Sequence, residues 1–472
     1  NDWETWSNSI KKLHNPDKIY KNHSSPHLER LVFDELLSHQ LTIRLIKNKI
    51  NKIKGNVLEK NGSIIEKLEN ILEFKLTNDQ KKAIDEISND LSSSNKMLRL
   101  LQGDVGSGKT IVALFAILQS LENQKKSVLM APTELLAEQH FNTIKKYVSQ
   151  LNLSCSLITS STRKEHDFSS DILIGTHALF QENVIFENIG IVVIDEQHKF
   201  GVHQRILLSE KVGNECDILL MTATPIPRTL ELAAYGDMDI SRIHEKPKDR
   251  KEIITKSINI DKVDKLKEAL LKKIKNKEKI YWVCPLVEDS EKLELQSVNN
   301  RLNDLKNYFN KNDVDMIHGQ MTQEQKNKIM SNFSNGKIKI LIATSVIEVG
   351  IDDPDATVMI IENAERYGLS QLHQLRGRVG RGKNSSTCIL LFYGPLSDTA
   401  KRRIKIMKGT NDGFKIAEED LDIRGSGEIL GSKQSGIPNF KLSNLDIHKH
   451  LLEMAREEAF NIVNKDPLLK SD

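Results

Sequence analysis

Between residues 98 and 223 the chain alternates short, almost unbroken apolar runs with helical stretches. The runs are LRLLQG (98–103), SVLMAP (127–132), SCSLIT (154–159), DILIGT (171–176), IGIVVIDE (189–196) and DILLMTA (217–223). Leu-, Ile- and Val-rich runs of this kind, separated by helices, predict strands buried on both faces of a parallel sheet. The polar stretch HEKPKDRK (244–251) breaks the pattern. A second series follows: KIYWVCPLV (279–287), VDMIHG (314–319), KILIATS (339–345), ATVMIIENA (356–364) and STCILLFY (386–393). The expected fold class is α/β, with two parallel sheets in tandem joined near 240–252. Ahead of them, Leu28, Leu31, Val32, Leu36, Leu37, Leu41 and Leu45 recur at helical spacing and predict an amphipathic packing helix over 27–46. Behind them, 397–472 reads as helical and loop-rich, with the glycine-heavy segment RGSGEILGSKQSG at 424–436.

Composition narrows the class without naming a function. At 472 residues the chain is too long for one core, and about 150 residues per domain gives roughly three units. The 68 Lys and Arg against 65 Asp and Glu leave a net charge of +3, so any nucleic-acid surface must be local. With 28% charged and 38% hydrophobic residues, wholesale disorder is excluded. The apolar runs are too short to cross a bilayer, so no membrane is expected. Cys155, Cys216, Cys284 and Cys388 are scattered with no C-x-x-C pair, which argues against a zinc site or a disulfide framework and fits a reducing compartment. The first residue is Asn1 and no signal-peptide pattern is present, so a fragment of a longer protein is expected.

The strongest chemical signal is GDVGSGKT (103–110), which follows an apolar strand and opens an apolar helix. Gly103, Gly106 and Gly108 would let backbone N–H groups turn inward around phosphates, at a helix N-terminus that favours anions. Lys109 would sit between the β- and γ-phosphates, and the Thr110 hydroxyl would ligate Mg²⁺. Asp195 and Glu196 end another strand, expected to neighbour the first. Two acidic residues there could simply cap a helix, but beside a phosphate loop they point to Mg²⁺ binding and water activation. In QLHQLRGRVGR (371–381), Arg376, Arg378 and Arg381 belong to the second sheet. An arginine completing a phosphate site from the opposing domain would make hydrolysis depend on cleft closure.

The set GDVGSGKT, APTELLAEQH (131–140), IGTHALF (174–180), DEQH (195–198), TAT (222–224), IATSVIEVGID (342–352) and QLRGRVGR (374–381) resembles the superfamily-two helicases. DEQHKFGVHQR (195–205), MTATPIPRTL (221–230), CPLVEDSEKLELQS (284–297) and DLDIRGSGEILGSKQSG (420–436) resemble the RecG branch, the bacterial replication-fork reversal helicases. The resemblance covers essentially all of 74–445. It implies two RecA-like motor domains (74–240 and 241–396) after a linker and helix (1–73), with a hairpin, translocation loop and last helix at 397–472. It also implies ATP and Mg²⁺ as cofactors, with Phe74 stacking on the adenine and Gln80 reading its edge. Pro132, Thr133, Glu134, Gly175, Thr176, His177 and Thr344 match positions that touch the nucleic-acid backbone. Glu348, Gly350 and Asp352 match the stretch coupling strand to nucleotide, and Thr222 and Thr224, beside His198, match a γ-phosphate relay. Gln374, Arg378 and Arg381 match the finger motif. In the tail, a hairpin near 397–420 would drive a loop at 421–436, with Arg424 and Gln434 in the key positions.

Residues 1–73 leave no room for the family's OB-type wedge domain, so the expected chain is the motor portion. The implied partners are branched and duplex DNA and the single-strand DNA-binding protein, met by a monomer in the bacterial cytoplasm at the nucleoid. Two other readings stand beside this one: a transcription-repair coupling translocase, which shares the tail motif, and a non-catalytic nucleic-acid-binding scaffold. DEQH and CPLVEDSEK argue against the first, and intact Lys109, Asp195, Glu196 and Arg381 against the second.

Overall fold

The computed structural model describes residues 3–15, 25–50, 52–160, 168–180, 188–196, 213, 215–234, 238–247, 250–284, 291–344, 353, 355–382, 384–424, 440–445 and 447–470. Three helices come first: α1 (Trp6–His14), α2 (Pro26–Ile50) and α3 (Ser63–Ile71). Next, α4 (Asn78–Leu91) opens on a capping box, in which Thr77 accepts from the Gln80 N–H and the Gln80 side chain accepts from the Thr77 N–H.

The first sheet contains β1 (Leu98–Gly103), β2 (Lys126–Met130), β3 (Cys155–Ile158), β4 (Ile172–Gly175), β5 (Ile189–Ile194), β6 (Asp217–Thr222) and β7 (Asp239–Ile243). All pairings are parallel, in the order β3-β4-β2-β5-β6-β1-β7. Its crossovers include α5 (Lys109–Glu122), α6 (Glu134–Val148) and α7 (Arg228–Ala234). Every residue of β5 and of β6 is buried, which is why both read as continuous apolar runs. The edge strand β7 crosses the boundary expected at 240/241, so the first sheet extends to 243.

The second sheet contains β8 (Ile254–Asn259), β9 (Lys279–Val283), β10 (Val314–Ile317), β11 (Ile340–Ala343), β12 (Ala356–Ile361) and β13 (Thr387–Phe392), in the order β10-β11-β9-β12-β13-β8 and again parallel. Around it lie α8 (Val263–Lys275), α9 (Glu291–Tyr308), α10 (Gln323–Ser334) and α11 (Leu369–Arg376). Each sheet carries an apolar core on both faces. The chain thus forms two lobes of one architecture, as the alternation predicts.

The tail begins with a helical hairpin, α12 (Asp398–Gly409) and α13 (Gly413–Arg424), and ends with α14 (Lys449–Lys465). The hairpin continues four residues into the expected loop, so Arg424 ends a helix. There its Nε donates to Asp420 Oδ1 at 3.1 Å, an i,i+4 ion pair that holds the last turn. The two ends of the chain meet: α14 packs on α2, with Val32, Leu36, Leu452 and Ala455 in one cluster with Leu230 and Leu232 of α7. The Glu35 carboxylate of α2 accepts the N–H groups of Lys441, Leu442 and Ser443 at 2.6, 3.0 and 2.8 Å.

Candidate active site

β1 delivers the chain into the phosphate loop, and α5 carries it away as a helix buried on nearly all sides. Gly106 (φ 74°) and Gly108 (φ 88°) take left-handed backbone conformations that a side chain would strain. Lys109, the first residue of α5, is buried, and its ammonium donates to the carbonyls of Gly103 (2.7 Å) and Asp104 (3.1 Å). Burial pulls its pKa down, against the attraction of Glu196, Asp195 and Asp104, and the positive charge of Arg381 pulls it down further.

The acidic pair follows β5. β6 lies between β5 and β1, so the strand carrying Asp195 is not the direct neighbour of the strand carrying the phosphate loop. This corrects the expected adjacency and has a consequence, because β6 ends in Thr222 and so brings TAT between the two motifs. The backbone N–H of Ala223 donates to Glu196 Oε2 at 3.4 Å, and the hydroxyls of Thr222 and Thr224 lie 3.1 Å apart. Glu196 has φ 51°, an uncommon conformation for a residue with a side chain. Asp195 Oδ2 lies 2.7 Å from His140 Nε2, and its Oδ1 accepts the Glu196 N–H at 2.9 Å. Burial would raise the Asp195 carboxyl, but the His140 hydrogen bond and the charges of His140 and Lys109 hold it below the usual carboxylate range.

The second lobe supplies the opposite wall. One cavity of about 420 Å³ is lined by Gly106, Gly108, Lys109, Thr110, Asp195 and Glu196 from the first lobe and by Gln374, Arg378 and Arg381 from the second. Arg381 Nε donates to the Gly377 carbonyl at 3.3 Å, which anchors its stem. Arg376 behaves differently from its neighbours. It is 1% exposed and donates to the carbonyls of Met407 (2.8 Å) and Thr410 (2.9 Å), so it fastens the tail hairpin to α11. A buried structural arginine replaces the expected member of a phosphate-facing cluster.

Five residues that the sequence motifs do not mark meet at the lobe junction: Asp104, Lys246, Arg250, His373 and Gly413. Asp104, inside the phosphate loop, is hydrogen-bonded to His373 of the second lobe and paired with Lys246 at 2.9 Å. Burial would raise the Asp104 carboxyl, but the bond and charge of His373, together with Lys246, hold it well below the ordinary range. Arg250 donates to Val105 O at 2.7 Å and Gly380 O at 2.9 Å, bridging the lobes. Gly413, which opens α13, lies on the His373–Asp104 pair, where a Cβ would come within 2.7 Å of His373 Nε2. Asp104 and His373 both sat inside motifs already read, at positions the motif patterns leave open. Arg250 lies in the charged stretch HEKPKDRK between the two apolar series.

The other expected site residues divide by burial. Phe74 is exposed and Gln80 is buried, and neither lines the cavity. Gln80 Nε2 donates to Ser107 O at 2.7 Å and its Oε1 accepts from Thr77 N at 2.9 Å. The amide therefore braces the phosphate loop and does not present a free edge to a base. Pro132, Thr133 and Glu134 are half-buried at the start of α6, whose N-cap is Thr133. The Thr176 and Thr344 side chains are buried, so neither offers a surface to a nucleic-acid strand. Gly175 is explained by packing, since a Cβ there would lie 2.1 Å from Ile158 O. Residue His177 begins a 3₁₀ turn. His198, Glu348, Gly350, Asp352 and Gln434 lie outside the described residues.

With this geometry in hand, residues 77–233 match the DEAD/DEAH box helicase family and residues 261–383 the helicase conserved C-terminal domain. Residues 410–472 match the C-terminal part of domain 3 of the ATP-dependent DNA helicase RecG. The ATP-dependent DNA helicase RecG of Haemophilus influenzae is 38% identical over 481 residues, covering 97% of this chain and 69% of that protein. Its counterpart from Bacillus subtilis is 42% identical over 452 residues, covering 93% of this chain and 66% of that protein. A solved structure of RecG bound to a three-way DNA junction superposes with a TM-score of 0.71 at 39% identity, over 91% of this chain and 57% of that one. The DEAD-box helicase Mss116, at 19% identity and a TM-score of 0.55, shares the fold over 88% of this chain and 92% of its own. The chain thus spans about two thirds of the curated relatives it matches. Among the described residues no helix is long and apolar enough to cross a membrane. Alignment at this identity along nearly the whole chain, with the tail matching as well as both lobes, makes the chain a member of the RecG family of ATP-dependent DNA helicases.

Proposed function

We propose that the chain is an ATP-driven motor that moves on duplex DNA and remodels branched DNA, such as stalled forks and junctions, in recombination and repair. The observation that carries this reading is the cavity walled by Lys109, Thr110, Asp195 and Glu196 on one side and Gln374, Arg378 and Arg381 on the other. Lys109 binds the β- and γ-phosphates, Arg378 and Arg381 neutralise charge that develops on the far side, and Glu196, held by the Ala223 N–H, orients the attacking water. The Thr110 hydroxyl and the Asp195 carboxylate line the same cavity and are hard oxygen donors, which fit Mg²⁺ held partly by phosphates and waters. Thr110 and Asp195 are the residues that would hold it, and it would add charge neutralisation at the phosphates. Because the walls belong to different lobes, hydrolysis follows their approach, and Arg376 makes the hairpin move with the second lobe.

DNA contact at Pro132, Thr133 and Glu134, and leverage by the tail with Arg424, belong to the same reading. So do action as a cytoplasmic monomer and cooperation with single-strand DNA-binding protein. The RecG relative bound to a three-way junction supports branched DNA as the substrate. Transcription-repair coupling is not favoured, and a phosphate cleft built from two lobes has no use in a passive scaffold. The test is ATP turnover with linear duplex, single strand, three-way fork and RNA side by side, with Lys109→Ala as the control. Stimulation by forks and duplex, abolished in Lys109→Ala, is expected; stimulation by RNA alone would overturn the reading. Steep loss of DNA affinity with salt is expected as well, since phosphate contacts dominate.

A further inference from the structure

The helix α6 (Glu134–Val148) touches three parts of the motor at once. Its first turn, at Thr133 and Glu134, is the proposed DNA contact. The face formed by Leu136, Gln139, His140 and Thr143, at helical spacing, lines the nucleotide cavity. A third side meets the second lobe, where Leu135 packs against that lobe's core and Glu138 accepts from Asn327 Nδ2 at 3.4 Å. Ile144, Tyr147 and Val148 fix the C-terminal half in the first lobe's core. The helix is therefore anchored at its far end, and its N-terminal half lies between DNA, nucleotide and the other lobe.

One side chain on this helix reaches a hydrolytic carboxylate. His140 and Asp195 are both buried, and Nε2 of the ring lies 2.7 Å from Asp195 Oδ2. Asp195 Oδ1 is occupied by the Glu196 N–H, so His140 fixes the rotation of the carboxylate about its own bond. We infer that His140 is a positioning residue: it holds Asp195 in the orientation that hydrolysis needs, and it ties that orientation to the grip of α6 on the DNA backbone. A shift of the first turn of α6 is carried along a rigid helix for less than two turns before it reaches Asp195. This rests on the function proposed above, because it takes the start of α6 as the DNA contact.

The experiment uses the full chain with His140→Ala and His140→Gln, whose amide nitrogen can reach where Nε2 lies. For each, turnover is measured without DNA and with saturating fork DNA, across a Mg²⁺ titration, and fork binding is followed by anisotropy. His140→Ala should lower the ratio of DNA-stimulated to unstimulated turnover about tenfold and raise the Mg²⁺ midpoint several-fold, with fork affinity within twofold of wild type. His140→Gln should recover much of both. A wild-type ratio and Mg²⁺ midpoint in His140→Ala would overturn the inference. So would a fork affinity that falls in step with turnover, or a Gln variant no better than Ala while thermal melting shows both folded. If the wild-type chain itself shows no DNA stimulation, the proposed function fails instead. The Mg²⁺ midpoint then still decides whether His140 positions Asp195.

Discussion

Gly377 ends α11 where it meets the phosphate loop, and adding one methyl group there tests whether the lobe contact is part of turnover. Its backbone (φ −66°, ψ −8°) is ordinary right-handed helix, so Ala fits the second lobe without strain. Reduced freedom of the unfolded chain would even stabilise that lobe by about 0.4–1 kcal/mol. The obstacle lies across the cleft. An added Cβ would meet Val105 Cβ at 2.7 Å, Cγ1 at 3.0 Å and Cγ2 at 3.2 Å. The closest of these is roughly 0.7 Å inside ordinary carbon–carbon contact. Val105 cannot simply retreat, since its carbonyl is held by Arg250 at 2.7 Å. Overpacking of this kind costs about 1–3 kcal/mol. Charged to the apposed state alone, that lowers the equilibrium constant for apposition about 5- to 150-fold, and lowers kcat by the same factor when apposition is the minor state during turnover. The assay pairs steady-state ATP turnover with binding of a fluorescent nucleotide and a thermal melt. The expected result is a melt at or above wild type, nucleotide affinity within a few-fold and kcat down at least fivefold. Unchanged kcat in a folded Gly377→Ala protein would show that turnover does not pass through this contact.

Three further outcomes follow from other parts of the molecule. Arg381→Ala should leave nucleotide binding near wild type, because the phosphate loop is intact, while single-turnover hydrolysis slows by 10³-fold or more, on the order of an arginine finger's usual effect; binding that falls in step with hydrolysis would refute the trans-lobe role. Burial pushes the Asp217 carboxyl up to about 7, so wild-type stability is fullest below the unfolded value near 3.8 and declines as pH rises through 7. Asp217→Asn should therefore melt like wild type near pH 4 and above it at pH 8, by about 1–4 kcal/mol in chemical denaturation, and a pH-independent difference would count against the burial argument. The Glu35 carboxyl meets the opposite balance: burial raises it, but Ser443 and the N–H groups of Lys441, Ser443 and Leu442 outweigh that and lower it overall. Its contribution is present above the unfolded value and is lost as pH falls through the folded one; because the carboxylate is only partly buried, Glu35→Ala should cost only about 1–2 kcal/mol at pH 7 and free the tail to proteolysis. A tail equally resistant in both proteins would deny Glu35 that clasping role.

Periodicity and local motif determined much of this protein. Strands such as β5 and β6 are buried on both faces and announce themselves as apolar runs, and the phosphate loop is local chemistry between a strand and a helix. Two of the four edge strands do not announce themselves this way, although β3 and β10 do. β7 (DISRI) and β8 (ITKSIN) interleave charged and polar residues with apolar ones and stay partly exposed, so neither forms an apolar run. The tertiary structure alone decided which distant residues meet. It put β6 between the two nucleotide motifs, His140 against Asp195 across 55 residues, His373 against Asp104 across 269, and Glu35 against Ser443 across 408. It also assigned neighbouring arginines different work, burying Arg376 under the hairpin while Arg378 and Arg381 face the cleft. The physical reason is that periodicity records how much of a segment is hidden from water, whereas a hydrogen bond between remote side chains depends on how the crossovers stack the sheets and on how the lobes face each other.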